Sequence, residues 1–159
     1  MNGFVAQPPT NPPAPDPLDQ VAGDAFWPAL SIAEFRDAMA IAKSVADTRV
    51  RDALRGGMAH VRRELRAWKA GHVAAGAATL GDVDDEEIDG EGAAELLYRR
   101  AVFCVAAADI AETHGEVSAT IDGRDRIAEE RVAAGELRRN ATHAIRDILG
   151  VTRTSVELI

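Results

Sequence analysis

The chain has 159 residues, a formal net charge of −8 and a pI of about 5.0, which excludes the broad basic surface of a sequence-independent DNA-binder. No apolar run approaches the roughly 20 residues that span a bilayer, and the single cysteine permits neither an internal disulfide nor a cysteine-based zinc site. All seven prolines fall in the first 28 residues, alanine fills 31 positions and aromatics make up 4%, so the proline-free remainder predicts closely packed helices rather than a β-sandwich or barrel.

Residues 1–24 read as an arm. The run from Pro8 to Pro17 favours polyproline II, and residues 1–20 have neither the basic start nor the apolar stretch of a secretory signal. Two readings of the arm stand: a free tail, or a segment that reaches onto a neighbour. Phe26-Trp27-Pro28 is expected to pin the arm into a groove of the same subunit or the next. Residues 25–150 then form the predicted helical domain.

Ser31-Ile32-Ala33-Glu34 fits a capping box and predicts a first helix to about residue 45, with Ile32, Phe35, Met39 and Ala42 on one face. Asp47 can cap a second helix over about 48–74. Its apolar stripe is Val50, Leu54, Met58, Val61, Leu65 and Trp68. Gly56-Gly57 inside that helix reads as a close crossing or a kink, not as a boundary. Residues 76–92 are a connection, first rich in Ala and Gly, then acidic. A third helix is predicted over about 92–114, through Leu97, Ala101, Val105 and Ala108, with Cys104 beside them. Gly115–Gly123 is a loop. A fourth helix covers about 125–149, with Ile127, Leu137, Ala141, Ile145 and Ile148 on one face and Gly150 as its C-terminal cap. Residues 151–159 alternate, are rich in β-branched types and read as an extended tail.

Charge is segregated. Residues 46–72 sum to +4, carried by Arg49, Arg51, Arg55, Arg62, Arg63, Arg66 and Lys69, whereas residues 73–98 contain eight carboxylates and no cation. Either these are two solvated surfaces, or they meet head to tail across a subunit boundary and close a ring. Sixteen of the eighteen basic residues are arginine, which suits bidentate interface pairs but also follows from a GC-rich genome.

Motifs for chemistry are absent from the sequence. There is no phosphate-binding glycine loop and no dinucleotide fingerprint. His60, His72, His114 and His143 lie in different segments, and His60–Glu64 reads as a surface pair rather than half of a metal site. Cys104 sits on an apolar stripe and reads as a small core residue. No catalytic, metal-binding or cofactor-binding residue is assigned.

In order and spacing, the chain from about residue 24 to its end resembles the head completion, or head–tail connector, proteins of Peduovirus-type temperate phages. The resemblance is carried by Phe26-Trp27-Pro28, Glu64-Leu65-Arg66-Ala67-Trp68, Ala75–Val83, Ile88-Asp89-Gly90-Glu91, Leu97–Cys104, Ala108-Asp109, Leu137-Arg138-Arg139, Ala144–Gly150 and Arg153–Ile159. It implies a small α-helical bundle similar to the head–tail adaptors of other tailed phages, in line with the all-α fold of about four helices and extended tail read from the residues; the Pro-rich extended arm lies outside the resemblance. It further implies a virion protein of the neck, assembled in the host cytoplasm, where the present chain is also expected to stay. Such a protein docks on the portal after DNA packaging and forms a ring, expected to be twelve-fold. The ring retains the genome, lets DNA pass without specific binding and offers a surface to a tail terminator or other neck protein. No enzyme activity, cofactor or membrane partner is implied.

Within that framework, subunit contacts are expected at Phe26, Trp27, Arg55, Arg62, Arg63 and Arg66, and at Asp82, Asp84, Asp85, Glu86 and Glu87. Arg153, Thr154, Val156, Leu158 and Ile159 are expected to touch the portal or the adjacent subunit. A helical interaction module that binds another protein through arm or tail is the alternative. An enzyme using Cys104 or a histidine is a more remote one.

Overall fold

A computed structural model describes residues 19–114 and 121–151, and side chains within 19–113 and 132–151. Five helices make up most of this part: α1 (Ile32–Ala38), α2 (Asp47–Glu64), α3 (Arg66–Ala74), α4 (Ala93–His114) and α5 (Ile121–Ile148). Two minimal antiparallel pairs accompany them, β1 (Gln20–Val21) with β2 (Leu30–Ser31), and β3 (Glu87–Ile88) with β4 (Glu91–Gly92). The protein is an all-α bundle, as its composition predicts.

α1 begins where the sequence places it. The Ser31 hydroxyl accepts from the Glu34 N–H at 3.1 Å. A distant residue adds further caps to the same helix end. The Asp19 carboxylate accepts from the Ser31 hydroxyl at 2.7 Å and from the Ala33 N–H at 2.9 Å, and its backbone carbonyl accepts from Ile32. Glu34 pairs with Arg99 of α4 at 3.0 Å. The helix ends at Ala38, not near residue 45, because the chain reverses through Ala40, which has φ 50°. The Ile41 N–H reaches back to the Arg36 carbonyl and closes the turn. Arg36 then binds the following loop, donating to the carbonyls of Ala42 and Val45 and to the Asp47 carboxylate. Ala46 rather than Asp47 is the N-cap of α2.

The α2 stripe is buried as its spacing predicts: Val50, Leu54, Met58, Val61 and Leu65 all face the core, and Trp68 is packed against it. The predicted long helix is interrupted at one residue. Leu65 has φ −89° and ψ 7°, which separates α2 from α3. The Gly56-Gly57 pair does not cause this break. Gly57 lies where α2 crosses α4, and a Cβ there would stand 2.8 Å from the Val102 carbonyl oxygen and 3.2 Å from Val102 Cγ1. Gly56 faces open space.

α4 is the central element, packed between α2 and α5. Its Ala101, Ala106, Ala107 and Ala108 are buried along with Tyr98, Val102 and Ile110, so small side chains let both neighbours approach. From α5, Ala134, Ala141, Ala144 and Ile145 complete the contact. Arg138 of α5 holds Glu112 of α4 through two hydrogen bonds, one of them 2.9 Å from Nε. The C-terminus of α5 is closed as predicted at Gly150, with Val151 N–H on the Arg146 carbonyl and Gly150 N–H on that of Asp147.

The glycine pair gives a sharp test. Gly57→Ala drives a methyl into the Val102 backbone and is expected to destabilise the protein by about 1–3 kcal/mol. Gly56→Ala meets nothing and removes a glycine from a helix interior, so it is expected to stabilise by about 0.5–1 kcal/mol. Chemical denaturation of the two variants checks both signs.

Candidate functional site

Three surface features are built by the fold: an aromatic anchor, an acidic lobe and a basic helix face. The anchor begins at Asp24, whose carboxylate accepts from the Phe26 and Trp27 N–H groups at 2.8 Å each. This turn drives both rings inward, leaving them 4% and 2% exposed. Trp27 stacks on Tyr98 of α4 with centroids 4.6 Å apart and on Trp68 of α3 at 6.4 Å. Phe26 meets Trp27 edge-on at 5.0 Å. Phe26 and Trp27, expected in a subunit contact, thus seat in a groove of their own chain.

Cations close the anchor from α2 and α3. Arg62 Nε donates to the Tyr98 hydroxyl at 2.9 Å, and Arg62 Nη1 lies 3.7 Å from Asp24 Oδ2. Lys69 Nζ lies 3.6 Å from the same oxygen and 4.9 Å from the centre of the Phe26 ring. Burial raises the Tyr98 hydroxyl above its ordinary pKa despite the Arg62 hydrogen bond. Slight burial pulls the Asp24 carboxyl up, but the two backbone donors and the two cations outweigh it and hold the group below its ordinary value. Arg62 is therefore part of the fold, and reversing its charge reports on folding before it reports on assembly.

The acidic lobe is structured. Asp82 closes a single 3-10 turn, Leu80–Asp82, by accepting from the Thr79 hydroxyl, the Thr79 N–H and the Ala78 N–H. The Thr79 hydroxyl is the main cause of that carboxyl's lowered pKa. Leu80 is fully buried, and its N–H donates to the Phe26 carbonyl at 2.9 Å, which ties the lobe to the anchor. Asp84 accepts from the Glu86 N–H. Beyond it β3 and β4 form a hairpin whose two loop residues, Asp89 at φ 55° and Gly90 at φ 77°, make a turn with both residues left-handed. The Asp-Gly dipeptide is a strong signal for such a turn, and the sequence reading of a plain connection passes over it. Asp84, Asp85, Glu86, Glu87 and Asp89 are exposed, and none has a cation partner among the described residues.

The basic face lies on α2 and the start of α3. Arg55, Arg63 and Arg66 are exposed. Arg63 meets His60 at 3.2 Å, so His60 faces Arg63 rather than the Glu64 expected of it. The basic face and the acidic lobe are not joined by an ion pair within the described residues. Cys104 is buried, and that burial pushes its thiol up despite the nearby Arg100, the opposite of what a nucleophile needs. No group of three or more metal-ligating side chains occurs among the described residues, and no described helix is long and apolar enough to cross a membrane. Residues 1–18, 115–120 and the tail residues Arg153, Thr154, Val156, Leu158 and Ile159 lie outside the described residues, as do the side chains of His114 and Ile127; of the loop expected over Gly115–Gly123, residues 121–123 belong to α5.

An alanine-rich bundle with segregated charge at its surface defines a small helical protein. The family model described as phage head completion protein (GPL) matches residues 21–159. The head completion/stabilization protein of Escherichia phage P2 is 32% identical over 149 residues, covering 89% of this chain and 88% of its own length. The probable head completion/stabilization protein of Haemophilus phage HP1 (strain HP1c1) is 27% identical over 141 residues, covering 87% and 91%. Neither name describes an enzyme. No solved structure gives a significant match. The chain belongs to the phage head completion protein family.

The anchor carries a pH signature. A carboxyl whose folded pKa lies below its unfolded value of 3.8 adds stability above that pH and loses it as pH falls through the folded pKa. Asp24→Asn is expected to lower the melting temperature at neutral pH and to flatten its decline between about pH 5 and about pH 2. Equal slopes for variant and wild type in thermal melts across that range would rule out the role given to Asp24.

Proposed function

We propose that this chain completes the phage head as a portal-bound adaptor. It docks on the portal after packaging, assembles as a ring expected to be twelve-fold, retains the genome and presents the surface on which a tail terminator or other neck protein sits. The role is structural rather than catalytic and takes place in the virion neck, after assembly in the host cytoplasm. The observation that carries this reading is the match of the head completion family to residues 21–159, nearly the whole chain.

The physical chemistry is compatible with it. A chain of net charge −8 gives DNA little to adhere to, so the genome can pass without specific binding. The domain division read from the sequence serves the same role, with a helical body over 25–150 as the wall, and the arm at 1–24 and the tail at 151–159 as reaching ends. Asp19–Asp24, at the end of that arm, run along the body through β1 and the turn at Asp24. Extended ends can add to an exposed sheet edge or lie in a groove, since their backbone groups are unpaired. The tail is therefore assigned to the portal or the adjacent subunit.

The test is deletion of residues 152–159. The α5 cap at Gly150 precedes the cut, so the melting temperature of the truncated chain is expected to stay within about 2 °C of wild type. Phage supplied only with this chain are expected to yield heads that lose DNA and accept no tails, as seen by electron microscopy. Normal yields of filled, tailed heads would remove the tail from the mechanism.

A further inference from the structure

The acidic hairpin and the basic face of α2 are shaped as complementary parts. At the hairpin, Ile88 is 48% exposed beside the two-residue turn at Asp89-Gly90. Asp84, Asp85, Glu86, Glu87 and Asp89 surround it in sequence, all exposed and without a cation among the described residues. The backbone that presents Ile88 is fixed, because the Ala93 N–H donates to the Glu86 carbonyl at 2.8 Å where α4 begins. This is an exposed apolar residue within a run of exposed carboxylates.

The matching recess lies between β1 and α2. A groove of about 530 Å³ is lined by the apolar Val21, Ala22, Met58 and Ala59 and by Arg51, Arg55 and Arg62. The three arginines sit at positions i, i+4 and i+11 of one helix, so they share a face. Arg51 and Arg62 are held by the fold, Arg51 by the Gln20 carbonyl and Arg62 by Tyr98. Arg55 is exposed at the rim, with no partner among the described residues. A socket lined by apolar residues and arginines fits a branched apolar side chain flanked by carboxylates.

We infer that the occupant of this socket is the β3–β4 hairpin of a second copy of the chain, with Ile88 against the apolar lining and the hairpin carboxylates on the arginines. Charge complementarity selects this partner, since carboxylates set against arginines steer the encounter and fix its register. Each copy carries one knob, Ile88, and one socket on different surfaces. The contact is therefore heterologous, passing from copy to copy until it closes on itself. This inference rests on the ring reading above and gives it a specific contact.

Two variants separate the halves of the contact. Ile88→Asp spoils the knob and leaves the socket; Arg55→Glu spoils the socket and leaves the knob. Both positions are exposed, and melting temperatures are expected to match wild type. At low ionic strength the full-length wild-type chain is expected to associate beyond the dimer, and to do so less as salt is added. Each variant alone is expected to lose association by at least about tenfold in Kd. An equal mixture still offers one good knob and one good socket, so native mass measurement should find heterodimers and nothing larger. Variants that associate like wild type overturn the contact, as does a mixture that rebuilds large oligomers or a wild-type chain that stays monomeric up to its solubility limit. If Arg55→Glu instead impairs DNA retention while association is unchanged, the groove serves the nucleic-acid backbone and the contact is also overturned. The head-completion reading fails separately, if phage lacking this chain still yield filled, tailed heads.

Discussion

The seating of Trp27 against Tyr98 is the contact on which the rest of this structure depends. Stacked rings 4.6 Å apart bring the N-terminal strap onto α4. Trp68 also stacks with Trp27 and brings α3 into the same cluster. The Phe26 carbonyl receives the Leu80 N–H and so fixes the acidic lobe. Burial of a large aromatic side chain contributes about 2–3 kcal/mol and a stacked pair about 0.5–1.5 kcal/mol more, which is a large share of the stability of a domain this size. The residues that hold the rings, Asp24, Arg62 and Lys69, are charged, so the cluster is a hydrophobic contact fastened by electrostatics at its rim.

A second constraint governs the body. α4 is buried on most of its circumference, and only small side chains allow that with helices on two sides. The buried alanines of α4 leave room for its neighbours, and Gly57 lets α2 cross at Val102 and Ala106. With packing settled by small residues, the large charged side chains are left to the surface. There they sort by sign, with arginines on α2 and carboxylates on the hairpin.

Much of this was legible in the sequence. The spacing of Val50, Leu54, Met58, Val61 and Leu65 identified a buried helix face, because periodicity is a local property. Ser31 and Gly150 marked helix ends for the same reason, since a cap acts within one turn. Other features were hidden because they depend on residues far apart in the chain. Asp19 adds to the Ser31 cap from outside the helix, and Arg36 binds a loop up to eleven residues away. Arg62 resembles its neighbours Arg55 and Arg63 in sequence, yet it alone of the three is drawn onto Tyr98. The break at Leu65 has no local marker, as leucine is a good helix former. The Asp89-Gly90 turn was visible, but strands of two residues leave too little alternation to confirm it.

The sequence by itself determined the class of the fold, most helix positions, the segregation of charge and the resemblance to head completion proteins. All of these are carried by composition, short-range periodicity and the order of motifs. Only the tertiary structure decided where the aromatic segment Phe26-Trp27 goes. Phe26 and Trp27 were open to either subunit until the Asp24 turn and the faces of Tyr98 and Trp68 were placed around them. It also decided which arginines serve the fold and which remain at the surface. The reason is that burial and pairing are properties of three-dimensional neighbours, and a charge pattern read along the chain does not reveal them.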